Sequence, residues 1–378
     1  MKRKFFTLLL LAAAVLIIFT ACGKGSSEDE LSEEAAAEEA DDGYDDDELV
    51  DIADEDRLNI GVSLPSETEY TKKLAKELTN RLWRKGFNVI LKYAANDQAV
   101  QQQQISELLS QDISCLILYP AAETGLDLTQ VVSAEIPLIN IEIPLEGSSP
   151  SDIYVGFDNV KAGELIADYV ISEMELEAAQ DVTIEMLFGK TDPLAEDLYT
   201  GVMNLLSEYF DDGTLVCRSG RTDFDACTTT SENAVAAYND LNRILSGYYL
   251  DQDLDVLITG ADYIASGSTV HFFSQGYTLD KFPIITGANG EPSSVRDFEK
   301  GFLSMTSFKN TREEAKICTK AAVYLTGGED VSDFSEEKIM NGEEEIPSVI
   351  LTPKMVTQID YLDELVNSEY YTDTEIYG

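Results

Sequence analysis

Apolar runs and amphipathic segments alternate along most of this chain, and their order predicts an α/β protein. Residues 58–64 have the pattern of a buried strand, and residues 70–85 have that of a helix with Leu74, Leu78 and Leu82 on one face. The same alternation predicts strands at 88–93, 115–119 and 138–141 and helices at 99–109 and 126–134. Strands that alternate with helices in this way form parallel sheets covered by helices.

Residues 154–163, YVGFDNVKAG, join two such series of elements. A strand ends at Val155, a polar turn follows, and Asp158 or Asn159 is placed to cap a helix over 160–174. We therefore expect two similar lobes, a hinge at this join and a ligand site in the cleft between them. A helix at 311–325 exceeds what the second lobe needs and is expected to return to the first. The second series has predicted strands at 182–187, 215–219, 256–259 and 284–287 and helices at 195–210, 232–245 and 265–275.

The first residues have the features of an export signal. Basic residues at positions 2–4 precede an apolar run at 5–19, which is shorter than the roughly 20 residues that a membrane-spanning helix needs. The run ends in FTAC, which resembles the lipobox of bacterial lipoproteins. Residues 1–22 are therefore predicted to be a lipoprotein signal peptide with lipidation at Cys22, and an ordinary signal cleaved nearby is the alternative.

Charge adds two constraints. Residues 23–56 are rich in Glu, Asp, Ala and Ser and poor in apolar residues, which predicts a disordered acidic tether. The whole chain of 378 residues carries a formal net charge of -45. Because such a surface repels phosphate backbones, nucleic acid is excluded as a partner.

The motifs with catalytic or metal-binding character are incomplete. FGKT at 188–191 lacks the second glycine of a phosphate-binding loop, since Ile184 stands at that position. The aspartates within 251–255 resemble the start of a calcium loop, but Val256 occupies the place that needs glycine. His271 is the only histidine and lies in an apolar helix. We predict no enzyme activity, no cofactor and no metal site.

The cysteines other than Cys22 have no metal-ligand spacing. A disulfide between Cys217 and Cys227 is possible in an exported protein, and their spacing alone leaves this open.

Across residues 57–372, eight short segments stand in a fixed order, namely FDNVKAG, LFG, LVCRSG, SENA, GADYIASG, TGANGEPSSV, FKNTREEA and IPSVILTP. In this order and spacing they resemble one family, the bacterial periplasmic sugar-binding proteins of ABC importers. The nearest resemblance is to the branch that binds xylose and multiple monosaccharides. The resemblance implies a type I periplasmic binding protein fold and a function in binding rather than catalysis.

The family fold implies two Rossmann-like lobes with parallel sheets, joined by a three-crossover hinge. The crossovers are expected near Gly156, Ala288 and Leu351. The N-terminal lobe would then comprise 57–155, completed by about 290–350. The C-terminal lobe would comprise 156–288, completed by about 351–378.

The resemblance also implies a set of ligand-binding residues. Asp262, Asn233 and Lys309 match positions of the family, whereas an Asp-Arg pair of the family is replaced by Glu142 and Ile143. Tyr263 and Trp83 are further aromatic candidates for stacking on a sugar. The complete expected set is Glu67, Tyr70, Glu142, Asp192, Asn233, Asp262, Asn289 and Lys309.

The expected function is that of a lipid-anchored protein on the extracytoplasmic face of a bacterial membrane. It would capture a monosaccharide-like ligand and deliver it to an ABC permease. The alternative is a sensor that presents a sugar or a cationic small molecule to a two-component kinase or chemoreceptor. The loss of arginine and the gain of Glu67 and Glu142 make the cleft more acidic, which favours either a different sugar or a positively charged ligand such as an amino sugar.

Overall fold

The computed structural model describes residues 49–145, 151–190, 192–229, 233–335, 337–341 and 344–378. The predicted signal peptide with Cys22, and the predicted tether as far as residue 48, lie outside the described residues.

Strands alternate with helices through most of the described chain. The strands are β1 (Leu58–Leu64), β2 (Phe87–Tyr93), β3 (Ile113–Leu118), β4 (Leu138–Ile141), β5 (Ile153–Phe157), β6 (Val182–Leu187), β7 (Leu215–Val216), β8 (Val256–Thr259), β9 (Ile284–Asn289), β10 (Met305–Phe308), β11 (Glu337–Asn341), β12 (Glu344–Leu351) and β13 (Lys354–Thr357).

The helices lie between these strands and follow the last of them. They are α1 (Glu69–Arg84), α2 (Gln98–Leu109), α3 (Thr129–Ser133), α4 (Asn159–Glu173), α5 (Ala195–Asp211), α6 (Ala234–Tyr248), α7 (Asp262–Ser274), α8 (Pro292–Glu299), α9 (Thr311–Gly327) and α10 (Asp373–Tyr377).

Two sheets organise these elements. The first has the order β11-β12-β5-β4-β3-β1-β2 and the second the order β13-β10-β9-β8-β6-β7. Neighbouring strands are parallel except for β11 with β12 and β10 with β13. We call the parts of the chain built on these sheets the first and the second lobe. The predicted two-lobed α/β fold with mostly parallel sheets is confirmed.

The chain passes between the sheets three times. It crosses after β5, where the Asp158 side chain accepts a hydrogen bond from the Lys161 N–H at 2.8 Å and caps α4. It crosses back after β10 and forward again between β12 and β13. The first and third crossings agree with the positions expected near Gly156 and Leu351.

The second crossing was expected near Ala288, and this was wrong. Ala288 lies inside β9 and pairs with Ser307 of β10, so α8 and β10 add a further strand to the second sheet. The return to the first lobe follows Phe308. The short strand β10, MTSF, has two polar residues among four, which gave its sequence little strand character.

The start of the folded body also differs from the prediction. The Val50 N–H donates to the Arg84 carbonyl oxygen at 2.8 Å, and the side chains of Val50 and Ile52 lie beside Gly86. Val50 is 39% exposed and Ile52 is half-buried, so both contact the end of α1 without being covered by it. The segment that contacts the folded body therefore begins by Val50, within the range predicted to be tether.

Helix α9 completes the first lobe, as the sequence predicted. Its Ala315 and Cys318 are fully buried in the same apolar cluster as Leu74 and Leu78 of α1. The two helices that cover this face of the sheet thus come from distant parts of the chain.

Residues 368–378, which we call the C-terminal segment, contact both lobes. The Glu375 carboxylate lies 2.7 Å from Lys76 Nζ on α1 of the first lobe. The Tyr371 hydroxyl donates to the Gly290 carbonyl oxygen of the second lobe at 2.9 Å. This segment therefore contacts α1 of the first lobe and the start of α8 in the second.

Helices α4 and α5 of the second lobe approach each other through two glycines. A Cβ on Gly163 would lie 2.0 Å from the Leu198 carbonyl oxygen, and one on Gly201 would lie 1.9 Å from the Val160 carbonyl oxygen. Real Cβ atoms do not come this close to backbone oxygens, so both positions require glycine.

We expect Gly163→Ala to lower the free energy of unfolding by about 2 kcal/mol or more, because the helices must move apart. Gly247→Ala in α6 is the matched control, since a Cβ there meets nothing within 4 Å. That substitution should stabilise the helix by up to about 1 kcal/mol. Urea denaturation of both variants tests this, and equal effects would contradict the close approach.

Candidate functional site

A cavity of about 410 Å³ lies between the two sheets, at the ends of their strands. First-lobe residues reach it from the loops that follow β1, β2 and β3, and second-lobe residues reach it from those after β6, β8, β9 and β10. The carboxyl ends of parallel strands are where open α/β sheets bind ligands. The position and size of this cavity are those of a small-molecule site.

Several helices begin at the cavity wall. Thr68 is the N-cap of α1, Asn233 that of α6 and Glu291 that of α8, and all three residues line the cavity. The free N–H groups at a helix start carry partial positive charge. This end of each helix favours carboxylates and other acceptor atoms in the cavity.

On the first-lobe side, the hydroxyl of Tyr70 lies between two buried carboxyl groups. Its oxygen is 2.6 Å from Glu142 Oε1 and 2.9 Å from Glu314 Oε2. One hydroxyl proton serves only one of these contacts, so one carboxyl group must donate its own proton to the tyrosine oxygen.

The surrounding charges identify Glu314 as the proton donor. Burial raises the pKa of Glu314 well above its usual value, and the charge of Glu142 raises it further. Burial also raises the pKa of Glu142, but the Lys309 ammonium, 4.0 Å from Glu142 Oε2, opposes that rise. Glu314 therefore donates to Tyr70, which donates to the carboxylate of Glu142.

On the second-lobe side, a buried aspartate holds the start of α8. Asp262 Oδ2 accepts a hydrogen bond from the Glu291 N–H at 2.7 Å. A Cβ on Gly287 would lie 2.0 Å from Asp262 Oδ1, so glycine is required beneath this carboxyl group. Burial raises the pKa of Asp262 to about 7.

Two acidic side chains of the second lobe line the cavity itself. Glu291 is 5% exposed, and its burial, together with the charge of Asp262, raises the pKa of its carboxyl group well above the usual value. Asp192 accepts the Leu194 N–H at 3.0 Å, and burial raises its pKa against the opposing charge of Lys309.

The structure brings most of the predicted residues to the cavity wall. Those that line it are Glu67, Tyr70, Asp192, Asn233, Asn289 and Lys309.

Two predicted ligand contacts, Glu142 and Asp262, do not line the cavity. Each is 1% exposed and is engaged by residues that do line it, Tyr70 in one case and Glu291 in the other. They lie behind the wall and hold the lining groups in place. The sequence could not show this, because residues at strand ends can point beneath the wall as well as into the cavity.

Of the aromatic candidates, Tyr263 lines the cavity and Trp83 does not. Trp83 is 49% exposed and lies under the guanidinium group of Arg57, 4.7 Å from the ring centre. Tyr119 and Glu291 line the cavity and were missed from the sequence. The Glu291-Pro292 pair was the available signal for Glu291, since proline favours the first position of a helix.

The described residues show no metal site or membrane span. No group of three or more His, Cys, Asp or Glu side chains in that part of the chain is placed to hold a metal ion. None of its helices has the length and apolar character needed to cross a bilayer. His271 is 2% exposed and packs against the rings of Tyr238 and Phe272. Cys217 and Cys227 are both free thiols.

Comparison with known proteins agrees with this architecture. The family model described as "Periplasmic binding protein domain" matches residues 60–330. A multiple sugar-binding periplasmic protein of Azospirillum brasilense is 27% identical over 336 residues, which cover 85% of this chain and 92% of that protein. A multiple sugar-binding periplasmic receptor of Rhizobium radiobacter is 28% identical over 330 residues, which cover 84% of this chain and 91% of that protein.

A solved structure extends the likeness to the fold. The ABC transporter solute-binding protein of Clostridium phytofermentans, which holds β-D-glucose, superposes with a TM-score of 0.76 at 27% identity. The match covers 84% of this chain and 99% of that one. The similar proteins are binding proteins of transport systems, and none of those compared is an enzyme. This chain belongs to the periplasmic binding protein family and is a two-lobed solute-binding protein of type I fold.

Proposed function

We propose that this protein captures a monosaccharide-like ligand in the cavity between its lobes and delivers it to an ABC permease. The observation that carries the proposal is the cavity of about 410 Å³, whose wall combines polar side chains with aromatic rings from both lobes. Lipid attached to Cys22 would hold the protein at the outer face of the cell membrane.

The chemistry of the wall supports a ligand with many hydroxyl groups. Asn289 offers an amide that both donates and accepts, Lys309 only donates, and ionised carboxylates only accept. Tyr119 and Tyr263 add rings that can pack on the apolar face of a sugar. A sugar hydroxyl donates and accepts at once, so it is matched by a wall of this mixed kind.

The relatives support the same class of ligand. Two of them are named as multiple sugar-binding proteins, and a solved relative of 27% identity holds β-D-glucose. In the proposed mechanism, the ligand contacts both lobes and thereby favours their closed arrangement over an open one. The three crossovers after Phe157, Phe308 and Leu351 are the places where the backbone would bend.

In this proposal, the lining residues contact the ligand at different depths in the cavity. Glu67 and Asn233 are exposed at the mouth and would close over the ligand, whereas Lys309 is 4% exposed and would contact its deepest part. Glu142 and Asp262 would act through the residues they hold. Tyr70 would present its ring to the ligand, because its hydroxyl is already occupied by the two buried carboxyl groups.

The first prediction concerns binding. Purified full chain should gain thermal stability from at least one member of a panel of pentoses, hexoses and amino sugars, and calorimetry should then give its affinity. Asn289→Gly should weaken that affinity about 2- to 10-fold, because it removes an amide from the cavity wall. Glycine tolerates the backbone there, where φ is 91°.

The control is Glu175→Gly, which replaces another left-handed residue (φ 49°) by glycine, at an exposed site after α4. It should leave affinity unchanged. No stabilisation by any sugar of the panel would refute the proposed function, and equal losses in both variants would refute the role of Asn289.

The second prediction concerns pH. Asp262 has a pKa of about 7 in the fold and an ordinary value of 3.8, so folding favours its protonated form. Its contribution is complete below about pH 4 and is lost as the pH rises to about 7. The free energy of unfolding should therefore fall over this range, with a slope of at most about 1.4 kcal/mol per pH unit from this one group.

Asp262→Asn should make that fall less steep, as measured by urea denaturation at several pH values. Glu208→Gln, at an exposed position on α5, should leave the slope as it is. An unchanged slope in Asp262→Asn would show that this carboxyl group does not titrate between pH 4 and pH 7.

The third prediction concerns the anchor. In bacteria that express the full chain, Cys22→Ser should move the protein from the membrane fraction to the soluble fraction, because the thiol that accepts the lipid is gone. Cys217→Ser, which changes a thiol within the folded body, should leave the protein with the membrane. Membrane retention of Cys22→Ser would argue against lipidation at that position.

A further inference from the structure

We infer that the ligand carries an ammonium group, as an amino sugar does, and that Glu291 and Asp192 bind this group. The inference rests on the proposed function and narrows its ligand class. It follows from a count of charges at the cavity wall, from the burial of Glu291 and from the partners of the nearby lysine.

One lysine among the lining residues is already matched. Lys309 is 4% exposed, and its Nζ lies 4.0 Å from the carboxylate of Glu142 behind the wall. Glu142 is itself fixed by the hydroxyl of Tyr70 at 2.6 Å. The ammonium of Lys309 is thus paired with Glu142. It also opposes the rise in pKa of Asp192, but it makes no ion pair within 4.0 Å with Asp192 or Glu291.

Glu291 and Asp192 have no ion-pair partner within 4.0 Å among the described residues. Glu291 is 95% buried, yet its side chain lines the cavity. Its carboxyl group accepts a backbone hydrogen bond from Tyr263, which does not neutralise its charge, and the acidic Asp262 is held close by because it accepts the Glu291 N–H. A buried carboxyl group in such surroundings either keeps its proton or needs a cation.

The charges around Glu291 are negative and come from both lobes. Asp262, Glu69 and Asp192 each act on its carboxyl group and oppose its ionisation. A neutral sugar would leave this repulsion in place. An ammonium between Glu291 and Asp192 would relieve it, and its N–H groups would meet oxygens that only accept when ionised.

The rest of the cavity leaves room for the hydroxyl groups of the same ligand. The amide of Asn289 and the hydroxyl of Tyr119 line the wall, and Lys309 lies at the end of β10. Acidic side chains of both lobes line the cavity, Glu67 and Glu69 in the first lobe and Asp192 and Glu291 in the second, and the rest of the wall is polar and aromatic. A hydroxylated ring with one amino substituent matches such a wall.

The test is isothermal calorimetry on the purified full chain with D-glucosamine, N-acetyl-D-glucosamine and D-glucose, at a pH where the free amine is protonated. D-Glucosamine should bind at least about 10-fold more tightly than either neutral sugar. Glu291→Gln should remove most of this preference, because the amide carries no charge to match the ammonium. The matched control is Glu299→Gln, an exposed residue of the same helix with the same loss of charge.

Asp192→Asn is the second variant and covers the case in which Glu291→Gln does not fold. Asparagine can still accept the Leu194 N–H, and the preference for D-glucosamine should again fall. If D-glucose binds as tightly as D-glucosamine, or if both folded variants retain the preference, the ammonium assignment is wrong while sugar binding stands. If none of the three sugars and no other member of the sugar panel binds, the proposed function itself fails.

Discussion

The buried ammonium of Lys309 lies beside several buried carboxyl groups where the two lobes meet. It opposes the rise in pKa of Glu142, Asp192 and Glu314, and it cannot compensate all three. The structure meets this constraint on the first-lobe side with a shared proton, which Glu314 gives to Tyr70. On the second-lobe side, the Glu291 carboxyl group accepts a backbone hydrogen bond from Tyr263, and no ion-pair partner lies within 4.0 Å of it among the described residues. The two sides of the cavity therefore differ in how the charges of their buried carboxyl groups are compensated.

The helices that begin at the cavity reduce the cost of burying these carboxyl groups. The N-termini of α1, α6 and α8 point toward it, and their free N–H groups favour negative charge. The helix ends make a buried carboxylate less costly than it would be elsewhere in the fold. Residues such as Asp262 therefore lie one layer below the ligand space, where they fix a helix start and keep the lining side chains in place.

Much of the fold could be predicted from the sequence, because buried parallel strands are nearly continuous apolar runs. The bounds of β1, β4, β6 and β8 agree with those predicted from the pattern alone. The position of the second crossover could not be predicted, since β10 has the mixed composition of a loop and its pairing with β9 depends on tertiary contacts. The prediction of the site from the sequence was limited in the same way. The sequence places Asp262 and Glu291 at strand ends, but only the backbone geometry decides which carboxyl group faces the cavity and which lies behind it.

The pairing of α1 with α9 has a consequence for the order in which the protein can fold. Tyr70 and Glu314 meet across 244 residues of sequence, and the segment between them contains most of the second lobe. During synthesis, the apolar face of α1 with Leu74 and Leu78 has no α9 to cover it until that intervening segment has emerged. The strands β6 to β10 of the second lobe are consecutive and can pair while the first lobe is still incomplete. Neither sheet is complete before the end of the chain is made, because β12 adds to the first sheet and β13, which follows it, adds to the second.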